Sequence, residues 1–160
     1  MGSKLESVKE RVNEAKEGHQ EAIELGQRDA EDIANVKSIL EGIPSDVDDD
    51  IVEAVSDVHD SSISEATTDM ESNVKQSLDS ASDVANDASE EAQEQQGLSE
   101  QAASSFEQVS GSSEFGSSAD GAADLAHQSA ESFVEASDEA MESVEAAEAE
   151  FADQLAEIQS

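Results

Sequence analysis

"AHQSAESFVEASDEAMESVEAAEAEFADQLAEI" occupies residues 126–158 and contains neither Gly nor Pro. Ala126, Ala130, Phe133, Ser137, Ala140, Val144, Ala147, Phe151, Leu155 and Ile158 follow one another at steps of three or four residues. That spacing lays them on one stripe of an α-helix, while Glu, Asp and Gln fill the other faces. A helix is predicted from about Ala119 to Ile158, ~60 Å long at 1.5 Å per residue. The stripe is narrow and rich in alanine, so it suits a close helix–helix seam rather than a thick core.

The same pattern extends backwards through the chain. Before this helix lies "GSSEFGSSADG", residues 111–121, where three of the eight glycines and four serines predict a reversal at 111–118. Upstream of it the stripe reads Ile51, Val55, Val58, Ser62, Ala66, Met70, Val74, Leu78, Ala81, Val84, Ala88 and Ala92. A second helix is predicted over 46–110, and Gly97 is the one place where it could break. "EGIPSD", residues 41–46, predicts the other reversal. There Gly42 suits a left-handed residue after a helix, Pro44 prevents its continuation, and Ser45 or Asp46 is placed to cap the next one. The first helix is predicted over 3–41 on Leu5, Val8, Val12, Ala15, His19, Ala22, Gly26, Ala30, Ile33, Lys37 and Leu40, with Ile23 and Val36 beside the stripe.

Two short turns make neighbouring helices antiparallel. The expected fold is all-α. It is a single domain over 1–160, an elongated antiparallel helical bundle or coiled coil of three long helices, or of four if Gly97 breaks the second. Folding about the two turns brings Leu5, Val8, Val12, Val74, Leu78, Ala81, Phe151, Leu155 and Ile158 into one shared core. It also puts Leu125 near Phe106 and Phe133 near Leu98.

Charge sets the functional limits. The chain carries 41 Asp and Glu against 7 Lys and Arg, a net charge of −34, with 2% aromatic residues and no Cys. High charge with few aromatics is a signature of disorder. The sustained stripe and single Pro weigh against that reading. Six of the seven bases fall in residues 1–43, and none follows Lys75. Such a surface repels nucleic acid and anionic membranes, and it attracts a basic partner or keeps the protein in solution. No apolar signal-peptide core and no membrane-spanning run is present, and the start "MGSKLE" has Glu6 where myristoylation needs Ser or Thr. Location is expected to be cytoplasmic, or outside the cell after export without a cleaved signal peptide.

Candidate chemistry is sparse. "DVDDDIVEAVSD", residues 46–57, spaces Asp46, Asp48 and Asp50 like a calcium loop, but Ile51 replaces the Gly of its sharp turn. The simpler reading is an acidic helix start. His19, His59 and His127 fall at different heights of the folded chain, too far apart to share a metal, and His19 reads as a polar residue tolerated in the seam. No nucleophile elbow or phosphate loop occurs, no cofactor is implied, and no enzyme is expected.

Four phenylalanines remain. Phe106, Phe133 and Phe151 lie on or beside the stripe and read as core. Phe115, in the bend, is either a lid over the seam or an exposed anchor for a partner. Phe115, Phe106 and Leu125 are the candidate partner-binding residues.

The helix–loop–helix of residues 46–160 resembles the small helical substrates of Gram-positive type VII secretion, the WXG100 proteins and the helical partners of LXG toxins. The family turn carries Trp-x-Gly, whereas this one reads Glu114-Phe115-Gly116. The family's Tyr-based export signal has no counterpart, because the chain has no Tyr. The resemblance implies export without a cleaved signal and pairing with another helical hairpin. The expected function is a non-enzymatic, acidic helical interaction module, a secreted partner or targeting adaptor of a type VII effector. Its partner would be another helical protein or a second copy of itself. The alternative is an acidic decoy, a DNA mimic or a chaperone of a basic protein.

Overall fold

Alanine-rich, proline-free segments with a stripe every three or four residues fold here as helices packed side by side. A computed structural model describes residues 2–111 and 114–160, and Ser112 and Ser113 of the predicted second turn lie outside the described residues. Helix α1 is Gly2–Glu41, α2 is Asp49–Asp69, a π-helical turn is Met70–Val74, α3 is Lys75–Val109 and α4 is Gly116–Gln159. No strand occurs among the described residues, and the three long helical runs make an all-α bundle.

Gly97 lies within α3 and interrupts nothing. The irregularity of the second run is the π turn instead. Around it Ala66, Met70, Val74 and Leu78 are all buried and all four residues apart. In a regular α-helix each four-residue step turns the stripe ~40° further round. One π turn absorbs an extra residue and keeps the four side chains facing inward. Its mark is the Lys75 N–H, which bonds the carbonyl of Met70 five residues back. Upstream of Ala66 the inward stripe reverts to steps of three and four through Val52, Val55, His59 and Ser62. Ile51 and Val58, expected on the seam, are exposed.

The first turn also differs from expectation. No glycine among the described residues has positive φ, so Gly42 is not a left-handed cap. Its N–H continues the helix to Ser38 and Ile39, and Ile43 bonds Leu40. The chain then leaves the helix at Pro44, whose ring disfavours helical backbone in the residue before it. Val47 bonds Pro44 in a turn of its own, so the cap of α2 is Asp48 rather than Ser45 or Asp46. The Asp48 side chain accepts from the Asp50 N–H at 3.3 Å, and Asp49 and Asp50 occupy the electropositive first turn. Asp46, Asp48 and Asp50 are thus a turn residue, a cap and a helical residue.

The chain forms two compact units. The first comprises Met1–Lys16 and Ala81–Val144, the second Glu17–Ser80 and Glu145–Ser160. The single shared core expected from the sequence is instead two clusters. In the first unit Val8, Val12 and Ala15 of α1 pack with Ala85, Ala88 and Ala92 of α3 and with Phe133, Ala136, Ala140 and Val144 of α4. In the second unit Ala22, Ala30 and Ile33 pack with Ala66, Met70, Val74, Leu78, Ala147 and Ile158, and Phe151 and Leu155 lie against them. Val8, expected near Ala81, belongs to the cluster that contains Ala85 and Ala88.

Small residues let these axes approach closely. Ser89 and Ser137, both buried, share a hydrogen bond of 2.7 Å, and Ser99 donates to Ser129 at 3.4 Å, fixing the antiparallel register of α3 and α4. Two glycines mark the closest approaches. A Cβ on Gly116, the first residue of α4, would lie 2.7 Å from the Ser110 carbonyl oxygen at the end of α3. A Cβ on Gly26 would collide with the Gln154 side chain, whose amide donates to the Ile23 carbonyl at 3.0 Å.

Candidate partner-binding surface

The three residues singled out from sequence all belong to the first unit, at and beside the α3–α4 turn. Phe106 lies on the last turn of α3 and is 40% exposed, so it is not core as its spacing suggested. Phe115 immediately precedes α4 and is 58% exposed. Its carbonyl accepts the first helical bond, from Ala119 at 2.8 Å, while its ring stays in solvent, which removes the lid reading. Leu125, on the third turn of α4, is 67% exposed.

Sequence reasoning missed two neighbours, Leu98 at 50% and Val109 at 44% exposure. Leu98 was placed against Phe133, but Phe133 is fully buried among Ala85, Ala88 and Ala92. Its signal was legible: Leu98, Ala102, Phe106 and Val109 repeat at helical spacing beside the seam residues Ser99 and Ala103. An extra apolar stripe beside a complete one marks a second contact face.

Carboxylates dominate the electrostatics around these side chains. Residues 81–144 hold fifteen Asp and Glu and no Lys or Arg. His127 Nε2 is 2.8 Å from Glu107 Oε1 in the open, and that hydrogen bond raises the imidazole pKa above its ordinary value. The bases of this unit sit on α1, where Lys4 meets Glu91 at 3.7 Å and Lys16 pairs with Glu139.

The second unit has a polar cleft of ≈ 310 Å³ lined by Asp29, Asp32, Ile33, Glu65, Ala66 and Asp69. Asp29 Oδ2 is buried with no donor facing it. Asp69 accepts from Asn73 at 2.6 Å. Burial first, and then a hydrogen bond to Asp69, push the Asp29 pKa up to about 7, while those two hydrogen bonds hold Asp69 below its usual value. A proton shared between the two carboxyls supplies the missing donor. His19 is buried in the same unit, and desolvation lowers its pKa against the opposing pull of Glu148. The histidines do not converge: His59 is half-buried beside Asp60 in α2, and His127 belongs to the first unit. Among the described residues no group of three or more His, Cys, Asp and Glu is placed to hold a metal ion, and no helix is long and apolar enough to cross a membrane.

Comparison with known proteins finds no matching family model, curated protein or solved structure.

Proposed function

We propose that this protein is a non-enzymatic, strongly acidic helical interaction module that acts as a secreted partner or targeting adaptor of a type VII secretion effector. The observation that carries the reading is the run of exposed large apolar side chains Leu98, Phe106, Val109, Phe115 and Leu125 on one unit. Several large apolar side chains exposed on so acidic a unit favour a protein partner. A hairpin of two long helices presenting that surface supports the secretion part, by its likeness in architecture to helical secretion partners.

The test is co-expression with the helical N-terminal region of an LXG toxin, followed by light scattering. A stoichiometric complex that survives moderate salt is the expected result. Absence of any complex, with the chain monomeric, overturns the reading.

The bases-free surface from residue 76 onward favours the second reading, an acidic decoy for a basic protein. A decoy binds a nucleic-acid-binding protein with a steep salt dependence, because it replaces a phosphate backbone. Competition by duplex DNA separates it from the first reading.

A further inference from the structure

Within the first unit, α1 sits in a groove between α3 and α4, and the groove continues past the end of α1. Leu5, Val8 and Val12 lie against Val84, Ala88, Phe133 and Ala136. Lys4, in the first turn of α1, already reaches Glu91. Helix α1 is described from Gly2 onward. The stripe that receives it extends further. On α3 it reads Val84, Ala88, Glu91, Gln95, Leu98, Ala102, Phe106 and Val109, each three or four residues from the last. On α4 the facing stripe recedes from Ala136 through Ser132, Ser129, Leu125 and Ala122 at the same steps. The members near α1 are buried or half-buried, whereas Leu98, Phe106, Val109 and Leu125 are exposed.

The part of the groove already filled shows what fits it. The α1 segment 2–16 is an amphipathic helix whose stripe of Leu5, Val8, Val12 and Ala15 is flanked by Lys4, Lys9, Arg11 and Lys16. Lys4 and Lys16 reach carboxylates on the two walls, Glu91 of α3 and Glu139 of α4. The open part repeats the apolar floor, and the stretch 81–144 that contains it carries fifteen Asp and Glu and no Lys or Arg. A second copy of this chain would bring its own acidic hairpin against these carboxylates.

We propose that the groove formed by Leu98, Ala102, Phe106 and Val109 of α3 with Ala122 and Leu125 of α4 binds a lysine- or arginine-flanked amphipathic helix of another protein, laid end to end with α1. This rests on the reading of the protein as an interaction module and names its surface and the chemistry of its partner. Leu98 to Val109 spans ~16 Å at 1.5 Å per residue, about three turns of a guest helix.

The test uses the full chain and labelled synthetic helices of about four turns in fluorescence anisotropy. One probe has a leucine stripe and lysine flanks, a second the same stripe with glutamate flanks, and a third lysine flanks with serine in the stripe. Only the first is expected to saturate the protein. The double variant Leu98→Ser, Leu125→Ser changes exposed positions, keeps its helicity by circular dichroism, and weakens that binding about tenfold or more. Val134→Ser with Met141→Ser, on another face of α4, leaves it unchanged. Equal binding of the glutamate-flanked or the serine-striped helix overturns the proposal, as does indifference to Leu98 and Leu125. If no helix binds and the chain instead dimerises through Leu98 and Leu125, the proposed occupant is wrong and the interaction module stands. A chain that binds no helix and stays monomeric overturns both.

Discussion

At the scale of single residues, burial separates side chains that spacing alone made equivalent. Phe133 is fully enclosed, and Phe133→Ala is expected to cost about 3–5 kcal/mol in urea denaturation. Phe115 is largely in solvent, and Phe115→Ala is expected to change stability by less than about 0.5 kcal/mol. Asp29 gives a pH signature. Its pKa is raised to about 7 in the folded state, above the ordinary carboxyl value, so the folded chain holds a proton that the unfolded chain has released. Its contribution to stability therefore falls as pH rises from the usual carboxyl range to about 7. Asp29→Asn keeps a donor toward Asp69 at every pH. It is expected to melt higher than the parent at pH 8, with the gap narrowing steadily as pH falls toward the usual carboxyl range. The lowered pKa of His19 works in the opposite direction below its ordinary value, and it cancels because both proteins carry it.

At the scale of elements, the π turn is the feature with consequences. It lets one helical run keep its stripe inward across the four-residue steps from Ala66 to Leu78. Removing one exposed residue there, such as Ser72, leaves Met70 and Val74 three apart, a spacing that a regular α-helix accommodates. That deletion is expected to retain helicity and cooperative melting. Deleting the exposed Asn86 from regular α-helix rotates one side of the seam by ~100° relative to the other, and is expected to abolish cooperative melting. Circular dichroism melts of the two deletions make the comparison. The steps of four were legible in the sequence, but a stripe list does not say where a helix takes up the surplus residue. Gly26 is a related case. Its Cβ position is taken by Gln154, so Gly26→Ala is expected to stabilise only in a Gln154→Ala background, by about 1 kcal/mol from helix propensity.

At the scale of the whole molecule, charge and seam oppose one another. A net charge of −34 repels itself, while much of the buried seam is alanine, which contributes little per residue. Screening carboxylates beyond ~10 Å at 0.1 M salt relieves the repulsion and leaves the seam intact. The melting temperature is expected to rise between low and moderate salt, and a flat profile would show that the carboxylates are already compensated.

The all-α class, the three helical runs and most of the inward stripe were legible in order of residues alone. A three- or four-residue period free of Pro leaves a chain this acidic few other ways to bury its apolar side chains. Exposure near the α3–α4 turn was only partly legible. Phe115 stood out by its place in the bend, while Phe106 was read as core and Leu98 was placed against Phe133, and both are exposed. Only tertiary packing decided the rest. Which of two adjacent stripes is covered depends on where a neighbouring helix begins and at what register it lies. The late cap at Asp48 and the surplus residue of the π turn were likewise visible only in the fold.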